Sequence, residues 1–360
     1  MSYSRILTKQ DATAAALGGA VLGGGGGGSR FLGERLGLQA IDTGTVKLVP
    51  IEEIPDNAIL LTVSAVGAPA ALNACVTATD YVNTVQRFAA SFDCKPAGII
   101  TNECGGNATL NGWIQAATLH LPLVDAPCDG RAHPTGVMGA MSLQRQKGFV
   151  SRQVAIGGNR AEGSYLETII RGSLEHASQI IRCTSIEAEG LVAVARNPVT
   201  AAYAKEHAAI GAIEQSISLG KVMLAAQNQE ADIVASAVNF LHGVICMTGR
   251  IQHLKLETKN GFDVGTYQVT NERQSVELTF WNENMTLTLN DIRLATFPDL
   301  IMTFLTDTGM PVTSSEVREN MKITVIYTDK CHLRLGSGLR DKELYIVAEQ
   351  AVGKEIISYL

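Results

Sequence analysis

The sequence is short of several things that would each announce a function. Aromatic residues make up 5% of the 360-residue chain, and Lys and Arg form no cluster in a sequence of net charge -6 and pI near 5.7. Nucleic acid is therefore not an expected partner, since both the electrostatic footprint and the stacking platforms are missing. No apolar run approaches the roughly 20 residues of a membrane-spanning helix. The N-terminal segment MSYSRILTKQD lacks the apolar core of a signal peptide, so no membrane partner and a cytoplasmic location are expected. There is no CxxC pair and no HExxH sequence, hence no metal signature legible from spacing. The seven cysteines are odd in number, which for a cytoplasmic chain points to thiols rather than a disulfide framework. Cys75, Cys94, Cys183, Cys246 and Cys331 read as packing or surface residues. His120, His176, His207, His242, His253 and His332 are scattered without ligand spacing.

What is present is a chain long enough for two domains, with 46% hydrophobic residues to build their cores. The expected fold is an α/β N-terminal domain with a partly parallel sheet (residues 1–165). An α+β domain follows (166–360), helical at first and β-rich from about residue 244. Thr8 and Asp11 have the spacing of a capping box, and the Ala-rich run behind them predicts a first helix to Leu22. Six glycines follow, Gly23 to Gly28, and Ser29 is placed to cap a second helix. GGGGGGSR lacks the Lys and Ser/Thr of a phosphate-binding loop and no strand precedes it. The run reads either as a flexible turn or as a backbone wall of an active site, with a nucleotide cradle as the other reading. Val46–Val49 and Ile59–Val63 predict strands, and Thr79–Phe92 an amphipathic helix. Tyr165–Ile181 is expected to be helical, Gly190–Ala195 a strand, and Asn197-Pro198 the opening of another helix. Helical character continues through Ile210–Gln227 and Ala231–Leu241. Beyond Val244 the pattern alternates, with Asn260-Gly261 at a hairpin turn. Asn282, Glu283 and Asn284 interrupt it as a bulge or turn, or as the border of a cleft.

The stretch most suited to carry chemistry runs from Gly98 to Met141. Ala97–Ile100 and Pro122–Val124 are short apolar runs expected to be buried strands, and the segment between them, Ala108 to Leu121, has helical spacing. A helix joining two strands implies a parallel pair whose carboxyl ends share one edge of the sheet, where ligands bind. That brings Glu103, Cys104 and Asn107 beside Asp125, Cys128, Asp129, Arg131 and His133. Gly105 and Gly106 would leave main-chain N–H groups accessible to an anion. Gly67, in the loop after the Ile59 strand, overhangs the same edge.

Several of these segments, taken in order, are similar to one known family. They are the glycine run Gly24–Gly28, the Gly67-Ala68-Pro69 loop, the segment Glu103-Cys104-Gly105-Gly106-Asn107, Asp125 with Gly130-Arg131 and Pro134, Asn282–Asn284, and Pro298–Ile301. Together they resemble the S-methyl thiohydantoin desulfurase family, associated with hydantoinase and oxoprolinase proteins. The resemblance spans about Asp11 to Glu349. It implies a two-domain fold and hydrolysis at the ring carbon that bears an S-methyl group, releasing methanethiol and leaving a hydantoin.

Within that expectation the residues admit different roles. Cys104, just before a helix N-terminus, is a candidate thiolate nucleophile. His133, Glu103 and Asp125 are candidate acids or bases, and Arg131 a holder of a substrate carboxylate. Gly105, Gly106, Asn107, Cys128, Asp129 and Gly67 complete the expected substrate site. A zinc version would use Cys104, Cys128, His133 and Asp125 to activate water. Cys104 and Cys128 are also a candidate redox pair. A non-catalytic ligand-binding protein, or an accessory subunit of a hydantoinase-type system, is the alternative to an enzyme. The expected partners are a small-molecule substrate and further copies of the chain.

Overall fold

A computed structural model describes residues 3–67 and 74–360. Ala68 and Pro69 of the Gly-Ala-Pro loop lie outside the described residues. Two eight-stranded sheets organise what is described. The first runs in spatial order Arg5–Ile6, Lys47–Val49, Leu123–Val124, Gly98–Thr101, Ile59–Gly67, Leu191–Thr200, Ser151–Gly157, Leu166–Gly172. Its four strands from Lys47–Val49 to Ile59–Gly67 are mutually parallel, and the remaining pairs are antiparallel. The expected parallel neighbours meet at Ile99↔Leu123. Their connection is a 3-10 turn at Ala108–Leu110 followed by a helix Trp113–Leu119. The second sheet is antiparallel throughout and starts at Val244. It follows the alternating pattern of the sequence, and its first hairpin turns at Asn260 and Gly261, both at positive φ (53° and 74°) as a tight primed turn requires.

The first helix, Lys9–Leu22, starts at the expected capping box, with Thr8 and Asp11 exchanging side-chain-to-backbone bonds. It crosses the helix Ala212–Asn228 at close range. A Cβ on Gly18 would lie 2.0 Å from the Ser216 carbonyl oxygen, and one on Gly220 would lie 1.9 Å from that of Ala14. The glycines let these backbones touch.

Two elements differ from the sequence reading. The segment expected to be helical from Tyr165 begins as the edge strand Leu166–Gly172, and only then becomes the helix Leu174–Glu187. Its residues alternate between half-buried and exposed, as LETIIRG must when one face rests on a sheet; Leu166 and Ile170 pack on the core. Pro198 does not open a helix either. It lies inside the strand Leu191–Thr200, where the pairing shifts between Leu60↔Val199 and Thr62↔Arg196. Asn197, at φ 46°, and Pro198 form that bulge, a position where the missing N–H of proline costs no ladder bond. The following helix, Ala201–His207, is capped instead by Thr200.

The glycine run fastens the two sheets together. The Gly27 carbonyl accepts from the N–H groups of Asn107 and Ala108, both at 3.0 Å. The Gly24 carbonyl accepts from Asn284 N–H at 2.7 Å and that of Gly25 from Ser314 N–H at 2.9 Å. One short segment without side chains thus hydrogen-bonds to the loop beyond the Gly98–Thr101 strand of the first sheet and to the second sheet.

Candidate functional site

A cavity of about 730 Å³ opens where these parts meet. Its floor comes from the carboxyl end of the strand Gly98–Thr101, which delivers Asn102 and Glu103. The chain then returns alongside, with Cys128 and Asp129 donating their N–H groups to the carbonyls of Thr101 and Asn102, both at 3.0 Å. That return places His133 on Glu103. The helix Leu174–Glu187 contributes Ile181 and Arg182, and the bulged strand contributes Arg196. The second sheet contributes Phe262, Trp281, Asn282 and Glu283, the last two at a chain reversal where Asn282 has φ 57°. Gly27 and Gly28 form part of the wall.

Glu103 and His133 are the polar centre. The His133 N–H donates to Glu103 Oε2 at 3.3 Å, and His133 Nε2 lies 3.2 Å from the same oxygen and 3.0 Å from Asn102 Nδ2. Burial, together with the nearby Arg196 guanidinium, pushes His133 down to about 3. The imidazole is therefore neutral, so the approach of its Nε2 to Glu103 is not an ion pair, and the hydrogen bond between the two residues is the one from the His133 main-chain N–H. Burial pushes Glu103 up to about 7, against the pull of the His133 N–H and of Arg196, Arg182 and Arg131. A carboxyl that titrates near neutrality is suited to take and return a proton.

Around this pair the polarity falls into sectors. Arg182 donates to the carbonyls of Gly67 at 3.0 Å, Gly261 at 3.1 Å and Pro134 at 3.2 Å, with its guanidinium 4.2 Å above the Phe262 ring. Burial lowers it to about 10, which leaves it charged at neutral pH. Arg196 is 4% exposed, and among the described residues no hydrogen bond or ion pair engages its guanidinium. Phe262 and Trp281, with ring centroids 4.9 Å apart, form an apolar wall with Ile181 and Ile186.

Of the residues singled out from the sequence, Glu103, His133, Asn107 and Gly67 line the cavity. Gly105 and Gly106 sit behind the lining, against the glycine run: a Cβ on Gly105 would meet Gly27 Cα at 2.4 Å. The remaining five are turned elsewhere. Cys104 is buried among the apolar residues between the first helix and Ala212–Asn228, donates to the Ala212 carbonyl at 3.5 Å, and is pushed up to about 12 by burial. Cys128 contacts Thr62 Oγ1 at 3.4 Å in a different apolar cluster, and burial pushes it up to about 12 as well. Both are free thiols. Asp125 accepts from the N–H groups of Ile213 at 2.8 Å and Glu214 at 3.3 Å. It thereby caps a helix whose own N-cap is Gly211, which has no side chain to do so. Arg131 is fully buried, donates to the Pro298 and Asp299 carbonyls, and stacks 4.4 Å from the Phe297 ring centroid. Asp129 lies fully buried beside Arg131, whose N–H it accepts at 3.4 Å.

The donor set proposed for zinc does not converge. His133 faces the cavity, whereas Cys104, Cys128 and Asp125 are each committed to a different neighbour. Among the described residues no three His, Cys, Asp or Glu side chains group as metal ligands would.

Two family models match the chain: the N-terminal domain of S-Me-THD-like proteins over residues 10–160, and the C-terminal domain over residues 173–337. The chain belongs to the S-Me-THD-like family. The S-methyl thiohydantoin resemblance read from the short segments is thus upheld over most of the length, as is an α/β region followed by a strand-rich one. A protein from Chromobacterium violaceum, known from an X-ray crystal structure, is similar with a TM-score of 0.70 at 18% identity, over 97% of each chain. That likeness bears on the fold alone. No curated protein matches. Among the described residues no helix of this S-Me-THD-like protein is long and apolar enough to cross a membrane.

Several lining residues carried no signal of their own in the sequence. Arg182 follows directly on the segment read as helix, Arg196 falls between the expected strand and the expected helix opening, and nothing in their spacing set them apart from surface arginines. Asn102 follows a strand and could have been suspected, since side chains at a parallel strand's carboxyl end face the ligand. The Asp125 cap yields a first expectation: Asp125→Ala should lower unfolding free energy by about 0.5–2 kcal/mol, as loss of a cap does, measured by urea denaturation.

Proposed function

We propose that the cavity hydrolyses a hydantoin-like ring, releasing methanethiol from an S-methyl thiohydantoin, with Glu103 as the base that activates water. The observation that carries this reading is the Glu103–His133–Asn102 cluster, with His133 and Asn102 buried, facing a largely apolar cavity in a chain of the S-Me-THD-like family. Ionised Glu103 takes a proton from water, and the oxygen adds to the ring carbon bearing sulfur. The C–S bond then breaks, and the departing methanethiolate takes the proton back from Glu103. The His133 main-chain N–H orients the carboxyl, and Asn102 holds the neutral imidazole beside it. The Phe262 and Trp281 wall suits the methylthio group and the flat ring. Arg196, which lines the cavity, rather than Arg131, which is spent on the Pro298 and Asp299 carbonyls, is the cation that meets a negative group on the substrate.

Cys104 has no part in this scheme, because its thiol is away from the cavity and held protonated by burial. Cys104→Ser should therefore keep near wild-type turnover, its hydroxyl donating to the Ala212 carbonyl in place of the thiol. A loss of about 10²-fold or more, with mass-spectrometric capture of an adduct on Cys104 in the wild type, would restore the thiolate mechanism. The deciding experiment for the function is methanethiol release by the purified chain from an S-methyl thiohydantoin. Tight binding of that compound without release would instead favour a non-catalytic ligand-binding or accessory protein.

A further inference from the structure

We infer that Glu283, supplied by the second sheet, is the acid that works opposite Glu103, protonating the ring nitrogen next to the carbon under attack. This deepens the hydrolase reading above and rests on it. Glu283 lines the same cavity although only 2% of its surface is exposed. Its Oε2 has no hydrogen-bond partner, an unusual expense for a buried carboxyl unless a ligand completes it. The backbone makes room for it on purpose-built terms. A Cβ on Gly26 would lie 1.9 Å from Glu283 Oε1, and its nearest three atoms would all belong to Glu283. The glycine run therefore provides the seat of this carboxyl as well as the bond between the sheets.

The charged groups facing Glu283 are Glu103, Arg131 and Arg182. Burial first, and then the Glu103 carboxyl, hold Glu283 well above the ordinary carboxylate range, with Arg131 and Arg182 opposing. Two carboxyls at one cavity with their protonation pushed apart are the arrangement of an acid and a base.

The protons balance. Glu283 gives its proton to the ring nitrogen of the C=N bond as water, deprotonated by Glu103, adds to the carbon. In the collapse the new hydroxyl returns a proton to Glu283 as the C=O forms. The C–S electron pair leaves with sulfur, and methanethiolate takes its proton from Glu103. Hydantoin and methanethiol are released with both carboxyls reset.

Two variants of the full-length protein test this with an S-methyl thiohydantoin as probe. Glu283→Gln keeps the size and neutrality of the protonated side chain, so its melting temperature should match the wild type while kcat falls about 10²-fold or more and KM changes little. Gly26→Ala adds a methyl group where the carboxyl sits without demanding a forbidden backbone. It should displace Glu283 and produce the same loss of kcat in a folded protein. Wild-type-like kcat in either folded variant overturns the role of Glu283 and leaves the hydrolase reading standing. Absence of methanethiol release from the wild type fails the hydrolase reading itself, which is a separate result.

Discussion

Glu103→Gln is expected to keep the fold and lose about 10²–10⁴-fold in kcat for methanethiol release, the range of a removed general base. The amide retains the shape of the carboxyl and can still meet His133, but it cannot accept a proton from water. The pH dependence follows from the same group. Burial pushes Glu103 up to about 7, and only its ionised form is a base. Hence kcat/KM should be level above pH 7 on this limb and fall as pH drops through about 7, tenfold per unit once the protonated form dominates. His133, pushed down to about 3, stays neutral across that range and contributes no limb of its own. Steady-state kinetics of the wild type and His133→Asn between pH 5 and pH 9 separate the two. A limb that persists in His133→Asn belongs to Glu103, and one that vanishes would assign the titration to the histidine and overturn the scheme.

The second large effect concerns stability rather than chemistry. Arg131→Leu should lower the free energy of unfolding by about 3–5 kcal/mol, the cost of breaking a buried charged network by removing one partner. The guanidinium ties the return segment beside Glu103 to the Pro298 and Asp299 carbonyls, and it faces Asp129 and Glu283. Leucine leaves those carbonyls without that donor and takes from both carboxyls a cation that faces them, Glu283 keeping only Arg182. Arg131→Lys retains charge but cannot span both carbonyls and the Phe297 ring at once, so an intermediate loss is expected. Denaturant unfolding of both variants is the measurement. A change below about 0.5 kcal/mol, the size of an ordinary surface substitution, would mean that the network is not structural and would return Arg131 to consideration as a substrate ligand.

These predictions use residues whose legibility in the sequence differed greatly. The parallel pair Gly98–Thr101 and Leu123–Val124 was legible because two uniformly apolar runs flanking a helical period leave few other arrangements. Glu103 and His133 followed, since the carboxyl ends of parallel strands converge. The same logic brought in Cys104, Asp125, Cys128, Asp129 and Arg131, and here proximity in sequence was a poor guide to direction. Beyond Thr101 the chain leaves the strand and its strict alternation ends, so Asn102 and Glu103 both reach the cavity while Cys104 turns into the apolar layer under the first helix. Asp125 was drawn away by a helix N-terminus 87 residues later, that of Ala212–Asn228, whose unpaired N–H groups needed an acceptor.

By itself the sequence determined most of the succession of elements, the cap at Thr8, the hairpin at Asn260-Gly261, the family, and the strand end on which the candidate site is built. Those features depend on local period, turn chemistry and short motifs, all of which are properties of neighbouring residues. Only the tertiary structure decided which side chains face the cavity, that Leu166–Gly172 joins the sheet as an edge strand, and that Arg182, Arg196 and Glu283 meet Glu103. It also decided how far Glu103 and His133 move from their ordinary proton affinities. The physical reason is that direction, burial and the nearness of charges are set by elements distant in the chain, Arg182 and Arg196 lying 79 and 93 residues from Glu103 and Glu283 lying 180. The glycine run shows both halves: its flexibility was evident from composition, but only the folded chain brings the Glu283 carboxyl against Gly26.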